Sequence, residues 1–270
     1  MSLTLPDKWI WDSWFAFDGE NHHMFYLHAS RALGDPNRRH RNVMVGHAVS
    51  PDLINWTVVR DALAVGDSPA FDSYTTWTGS VTRDDDGTWW MFYTGTSRED
   101  AGERQTVCAA TSPDLITWKK VTNLPVAAAD SRWYKTLAAG FDNEPFRDPW
   151  VFKLPGQSEW TMLITAGSPK AKSRREEAVM GVAKSKDLIN WTVITDALAI
   201  SDSPAFDSYT TWTGSVVKNH DGKWFMFYTG TSREDGGDIQ SIGAATSDDL
   251  ITWTKVSNEA LVRADERWYA

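Results

Sequence analysis

Short apolar runs separated by turn residues recur along the chain, always in the same order. An aromatic stretch (HMFYLHAS, WWMFYTGTS, WTMLITAGS, WFMFYTGTS) is followed by a small-residue stretch (VMVGHAVS, TVCAATS, VMGVAKS, SIGAATS) and then by DLINW or DLITW. Aromatic and β-branched enrichment over such short segments predicts strands. An earlier strand opens each unit near 12–17, 77–82, 148–153 and 212–217. The closing tryptophans are Trp56, Trp118, Trp191 and Trp253, spaced 62, 73 and 62 residues apart. Four short strands per unit predict an antiparallel four-stranded sheet. Gly87 and Gly222, each preceded by Asp, supply the positive φ that tight hairpins need.

The units span 9–57, 77–121, 147–194 and 212–256. Sheets of this size cover their apolar faces by standing side by side, which predicts an all-β fold: a β-propeller with four visible blades. The connections 58–76, 122–146 and 195–211 are expected to cross one rim and frame a pocket. The repeated tryptophans are expected to pack and hydrogen-bond at the outer strands.

A larger repeat overlies the smaller one. DSPAFDSYTTWTGSV at 67–81 returns unchanged at 202–216, an offset of 135 residues. Two two-blade halves, 1–135 and 136–270, are therefore expected to form one propeller-like domain. Agreement that extends into solvent-facing turns reads as late duplication, a chimera or deliberate assembly. Four units without a fifth would leave sheet edges open, so association with further copies is expected.

Composition narrows the function. A formal charge of −9 argues against nucleic acid or an anionic membrane as a partner, since a polyanion needs a basic face. No 18-residue apolar run is present, and the start MSLTLPDKWIWD lacks the features of a secretory leader, so a soluble cytoplasmic or recombinant protein is expected. The lone Cys108 sits in an apolar run and reads as a small core residue. The six histidines form no compact ligand motif, and no cofactor is implied.

Four stretches taken together carry a family resemblance: WIWDSWFAFDG at 9–19, WTGSV at 77–81, FRDPWVF at 146–152, and the DLINW-type endings. The chain resembles the five-bladed furanosidase propellers of the glycoside hydrolase 32/43/68 group, most closely the family-32-like β-fructosidases. The resemblance implies Asp12 as the nucleophile and Asp148 as the carboxylate that stabilises the sugar cation. It implies Arg147 as that carboxylate's orienting partner, Trp77 and Ser80 as substrate contacts, and Trp14 and His23 as wall residues. A fructosyl oligosaccharide is the implied ligand. Carboxylates suit this chemistry because a furanosyl transition state carries positive charge at the anomeric carbon.

The same resemblance implies a general-acid glutamate at the opening of the fourth blade, where this chain has YTTWTGS at 209–215. Neither Thr nor Ser protonates a leaving alkoxide as a tuned Glu does. Glu144, close to Arg147 and Asp148, is the replacement candidate, with loop anchoring as its alternative. Two functional expectations follow: a β-fructofuranosidase-like protein of weak or absent activity, or a non-catalytic propeller assembly.

Overall fold

A computed structural model describes residues 3–170 and 178–265. The chain folds into four sheets, each antiparallel and each built from consecutive strands. Blade 1 contains β1 (Lys8–Phe17), β2 (His22–Ser30), β3 (Met44–Ser50) and β4 (Thr57–Val58). Blade 2 contains β5 (Thr75–Arg83), β6 (Trp89–Thr96), β7 (Gln105–Ser112) and β8 (Lys119–Lys120). Blade 3 contains β9 (Phe146–Lys153), β10 (Trp160–Gly167), β11 (Ala178–Ser185) and β12 (Thr192–Leu198). Blade 4 contains β13 (Thr210–Lys218), β14 (Trp224–Thr231), β15 (Gln240–Ser247) and β16 (Thr254–Lys255), and β17 (Val262–Arg263) pairs back onto β15. This is the four-bladed, propeller-like arrangement that the strand pattern predicted. Among the described residues no helix is long and apolar enough to cross a membrane.

The blades stand in chain order, with β1 beside β5, β5 beside β9 and β9 beside β13. Three apolar seams join them. Trp14, Phe25 and Val45 of blade 1 meet Met91, Tyr93 and Cys108 of blade 2. Phe92, Val107 and Ala109 on the other face of blade 2 meet Val151, Met162 and Ile164 of blade 3. Leu163 and Val182 of blade 3 meet Met226, Tyr228 and Leu250 of blade 4. Each large side chain fully buried there contributes about 1.5–3 kcal/mol, so the seams hold the fan together.

The DLINW-type endings form the outer corners. In each, the Asp side chain accepts backbone N–H bonds from residues two and three ahead, as Asp187 does from Ile189 and Asn190. That brace holds the intervening leucine at positive φ, between 61° and 65° at all four corners. Trp118, Trp191 and Trp253 then donate their indole N–H to the carbonyls of Leu115, Leu188 and Leu250.

The long connections into blades 2 and 4 are anchored by a buried triad. Asp72 accepts from Tyr93 Oη at 2.7 Å and pairs with Lys120, and Asp207 accepts from Tyr228 Oη at 2.8 Å and pairs with Lys255. Cys108 lies buried beside the first triad, and burial pushes its thiol up to about 12.

Candidate functional site on the propeller axis

The innermost strand of every blade is interrupted at the same place. The pairing of β1 with β2 shifts between Trp11 and Ser13, and that of β5 with β6 between Trp77 and Gly79. The pairing of β9 with β10 jumps from Trp150 to Arg147, and that of β13 with β14 from Trp212 to Ser215. A bulge takes an extra residue out of the ladder and re-aims its side chain. Asp12, Thr78, Asp148 and Thr213 are the residues released. Asp12 and Asp148 take positive φ values of 37° and 57°, uncommon for residues with a side chain. Gly79 and Gly214 follow the two threonines because a Cβ there would lie 1.9 Å and 1.7 Å from the facing carbonyl oxygens of Phe92 and Phe227.

Hydrogen bonds tie these four positions across the blades. Thr78 Oγ1 donates to Asp12 Oδ2 at 2.6 Å. The Asp148 amide donates to Thr94 Oγ1 at 2.9 Å, and its carbonyl accepts from Thr213 Oγ1 at 2.8 Å. Thr165 Oγ1 in turn accepts the Thr213 amide at 2.9 Å. Arg147 Nε lies 3.3 Å from Asp148 Oδ2, while its Nη1 donates to Gln105 Oε1 at 3.2 Å.

The two carboxylates feel each other electrostatically. Burial pushes the Asp148 carboxyl up to about 6, Arg147 opposes that shift, and the charge of Asp12 adds to it. His40 approaches Asp12 from the Pro36–Arg41 turn; burial and the charges of Arg39 and Arg41 lower its pKa, while Asp12 opposes them. The turn is pinned by Trp77, whose indole donates to the His40 carbonyl at 2.8 Å, and by Arg39 over the Trp11 ring. The basic run 38–41 therefore lies against the site.

A cavity of about 580 Å³ opens beside Arg147 at this rim. Arg41, Lys135, Tyr209 and Trp212 also line it, bringing blade 4 and the turn of blade 1 to one space. Arg41 Nη1 and Trp212 Nε1 are buried without a hydrogen-bond partner, and the Arg41 guanidinium lies over the rings of Tyr74 and Trp77. Among the described residues no cluster of His, Cys, Asp and Glu is arranged to hold a metal ion.

Asp12, Asp148 and Arg147 thus come together, and Trp77 supports them through the basic turn. Three other expected contacts do not reach the axis. Trp14 lies in the seam between blades 1 and 2, stacked on Phe25 at 6.2 Å, because the bulge at Asp12 turns it toward the core. His23 is buried on β2, bonded to His47 at 2.9 Å and Asp18 at 3.1 Å. Ser80 is buried as well, its hydroxyl accepting the Val151 amide at 3.0 Å, so it fastens blade 2 to blade 3.

Glu144 is buried and committed locally. It accepts the Leu137 amide at 3.0 Å, approaches Arg104 at 3.4 Å and borders a separate cavity with Thr136 and Pro125. Thr78, Thr94 and Thr165 were not singled out from sequence. The signal for Thr78 and Thr94 was the repeated TWTGS and TGT lettering, which looked like ordinary strand, and Thr165 in LITAGS carried none.

A propeller that aims two carboxylates from alternate blades at its axis, beside a polar cavity, defines a class of protein: the glycoside hydrolase β-propellers. The chain belongs to the glycosyl hydrolases of family 32: the profile of that family's N-terminal domain matches residues 6–176 and again 172–269. It is similar to an insoluble beta-fructofuranosidase isoenzyme of Oryza sativa, 32% identical over 155 residues, covering 56% of this chain and 23% of the relative. It is similar as well to a 6(G)-fructosyltransferase of Asparagus officinalis, 32% identical over 183 residues, covering 66% of this chain and 27% of the relative. The chain spans about a quarter of the length of these curated relatives. Among solved structures it superposes on a GH32 beta-fructofuranosidase of Bombyx mori with a TM-score of 0.65 at 20% identity, covering 90% of this chain and 49% of that one. A thermostable family-43 glycoside hydrolase gives a TM-score of 0.70 at 16% identity, covering 96% and 75%. Both structural likenesses speak to the fold.

Proposed function

We propose that this chain holds a fructosyl saccharide at its axial carboxylates, with Asp12 as the nucleophile and Asp148 as the charge-stabilising partner, and that it turns substrate over weakly or not at all. The observation that carries this reading is the shared bulge. It aims Asp12 and Asp148 at one axis and gives the equivalent position of blade 4 to Thr213. A carboxylate pair can attack and stabilise an anomeric carbon, but the leaving oxygen also needs a proton. Thr213 cannot give one near neutral pH, and its hydroxyl is engaged by the Asp148 carbonyl. The buried bonds of Glu144 argue for loop anchoring in place of acid catalysis.

General acid catalysis contributes roughly 10²–10⁴-fold, so Thr213→Glu should raise fructose release from sucrose, inulin or levan by about that factor over the parent chain. Asp12→Asn in the Thr213→Glu background should abolish the gain. Turnover that is unaffected by Asp12→Asn would overturn the nucleophile assignment. Saccharide binding by calorimetry with no release in any variant would favour the second reading, a non-catalytic propeller that retains a sugar site.

A further inference from the structure

The seams between blades repeat one set of contacts, and the two outer faces carry its unmatched halves. Phe25 of blade 1 meets the edge of Trp118 of blade 2 at 5.7 Å and 83°, and Phe92 of blade 2 meets Trp191 of blade 3 at 5.7 Å and 85°. In each following blade the corner leucine tucks under its neighbour: Leu115 and Leu250 are fully buried and Leu188 nearly so. Among the described residues no blade precedes blade 1, and its corner leucine Leu53 is 51% exposed while Trp56 tilts against Phe15 instead. Among the described residues no blade follows blade 4, and its Phe227, the counterpart of Phe92, is 42% exposed, with Val217 and Val262 exposed around it.

The polar half of the seam shows the same asymmetry. Ser80 and Thr94 of blade 2 accept the amides of Val151 and Asp148 on blade 3. Their counterparts on blade 4, Ser215 and Thr229, are exposed and half-buried. On blade 1 the positions matching Val151 and Asp148 are Phe15 and Asp12, beside a groove of about 440 Å³ lined by Ile10, Met24, Tyr26 and Trp56. The Tyr26 hydroxyl is buried there without a hydrogen-bond partner.

We infer that blade 4 of one copy docks on blade 1 of a second copy, head to tail, repeating the seam that joins blades 2 and 3. Phe227 then meets Trp56 and Leu53 of the second copy, Ser215 accepts the amide of its Phe15, and Thr229 accepts the amide of its Asp12. The occupant is a second copy because the two free faces are the two sides of a contact this chain already makes with itself. Each copy offers one face of each kind, so the contact is heterologous. A seam that does not close leaves a growing chain of copies. Docking of Thr229 would also brace the bulge that aims Asp12, linking assembly to the site.

Light scattering across a dilution series should show a mass above one chain that falls on dilution. Phe227→Asp should weaken that association at least about 30-fold, as truncating a central aromatic of an interface does. A second measurement reads the partner directly: Ser215→Cys with Phe15→Cys should form disulfides between chains on oxidation, with buried Cys108 unable to compete. A monomer at every concentration, association indifferent to Phe227→Asp, or a disulfide confined to one chain would each overturn the inference. The last outcome would mean that blade 4 closes onto blade 1 of its own chain.

Discussion

Phe92 and Phe227 occupy the same position in two nearly identical sheets, so truncating each in turn measures the worth of a neighbouring blade. Phe92 is fully buried between blades 2 and 3, with Val151, Met162 and Ile164 in the same cluster. Phe92→Ala removes the transfer energy of the ring and leaves a walled cavity, a loss of about 3–5 kcal/mol. Phe227 is 42% exposed and has no blade on its far side. Its truncation leaves no enclosed void and loses only part of the roughly 1.5–3 kcal/mol that full burial of such a ring contributes, so about 1 kcal/mol is expected. Urea unfolding followed by tryptophan fluorescence reads both, at a concentration low enough to keep the chains apart. The midpoint should fall three- to fivefold further for Phe92→Ala than for Phe227→Ala. Equal losses would refute the reasoning, because Phe227 would then be buried in solution as deeply as its twin.

The same comparison applies to a hydrogen bond: Ser80→Ala strands the buried Val151 amide and should cost about 1–3 kcal/mol, whereas Ser215→Ala on the exposed face should change the urea midpoint little. Burial lowers His47 from 6.5 to about 4; the unfolded chain binds that proton first, so stability should be lost as pH falls from 6.5 to 4, and His47→Gln should remove the slope. Asp148 acts in the opposite sense. Its carboxyl is raised from 3.8 to about 6, so its contribution is present below 3.8 and lost as pH rises to 6, and Asp148→Asn should remove that loss. Urea midpoints between pH 4 and 7 should therefore bend in opposite directions for the two variants; parallel curves would contradict both assignments.

Blade number and blade limits were legible because each strand carries its own pattern: aromatic stretch, small-residue stretch, braced corner. The lettering around Asp12 and Asp148, WIWDSW and FRDPW, picked out two residues that both lie at bulges of innermost strands. Trp14 and Ser80 face the blade seams for one physical reason. Strand alternation fixes side-chain direction only until a bulge resets it, and the bulges at Asp12 and Thr78 lie just before Trp14 and Ser80. His23 gave no local sign that Asp18 and His47 would enclose it. The threonine network was hidden because Thr94 and Thr165 act on residues more than forty positions away.

Local order on this chain was set by the sequence alone: where strands begin, where hairpins turn, and how an Asp holds a leucine at positive φ. Exposure and role were not. The stretch 67–81 is identical to 202–216, yet Ser80 is buried under Val151 while Ser215 faces outward. Identical residues acquire different environments because burial belongs to a pair of surfaces, and only the tertiary arrangement decides whether the second surface is there.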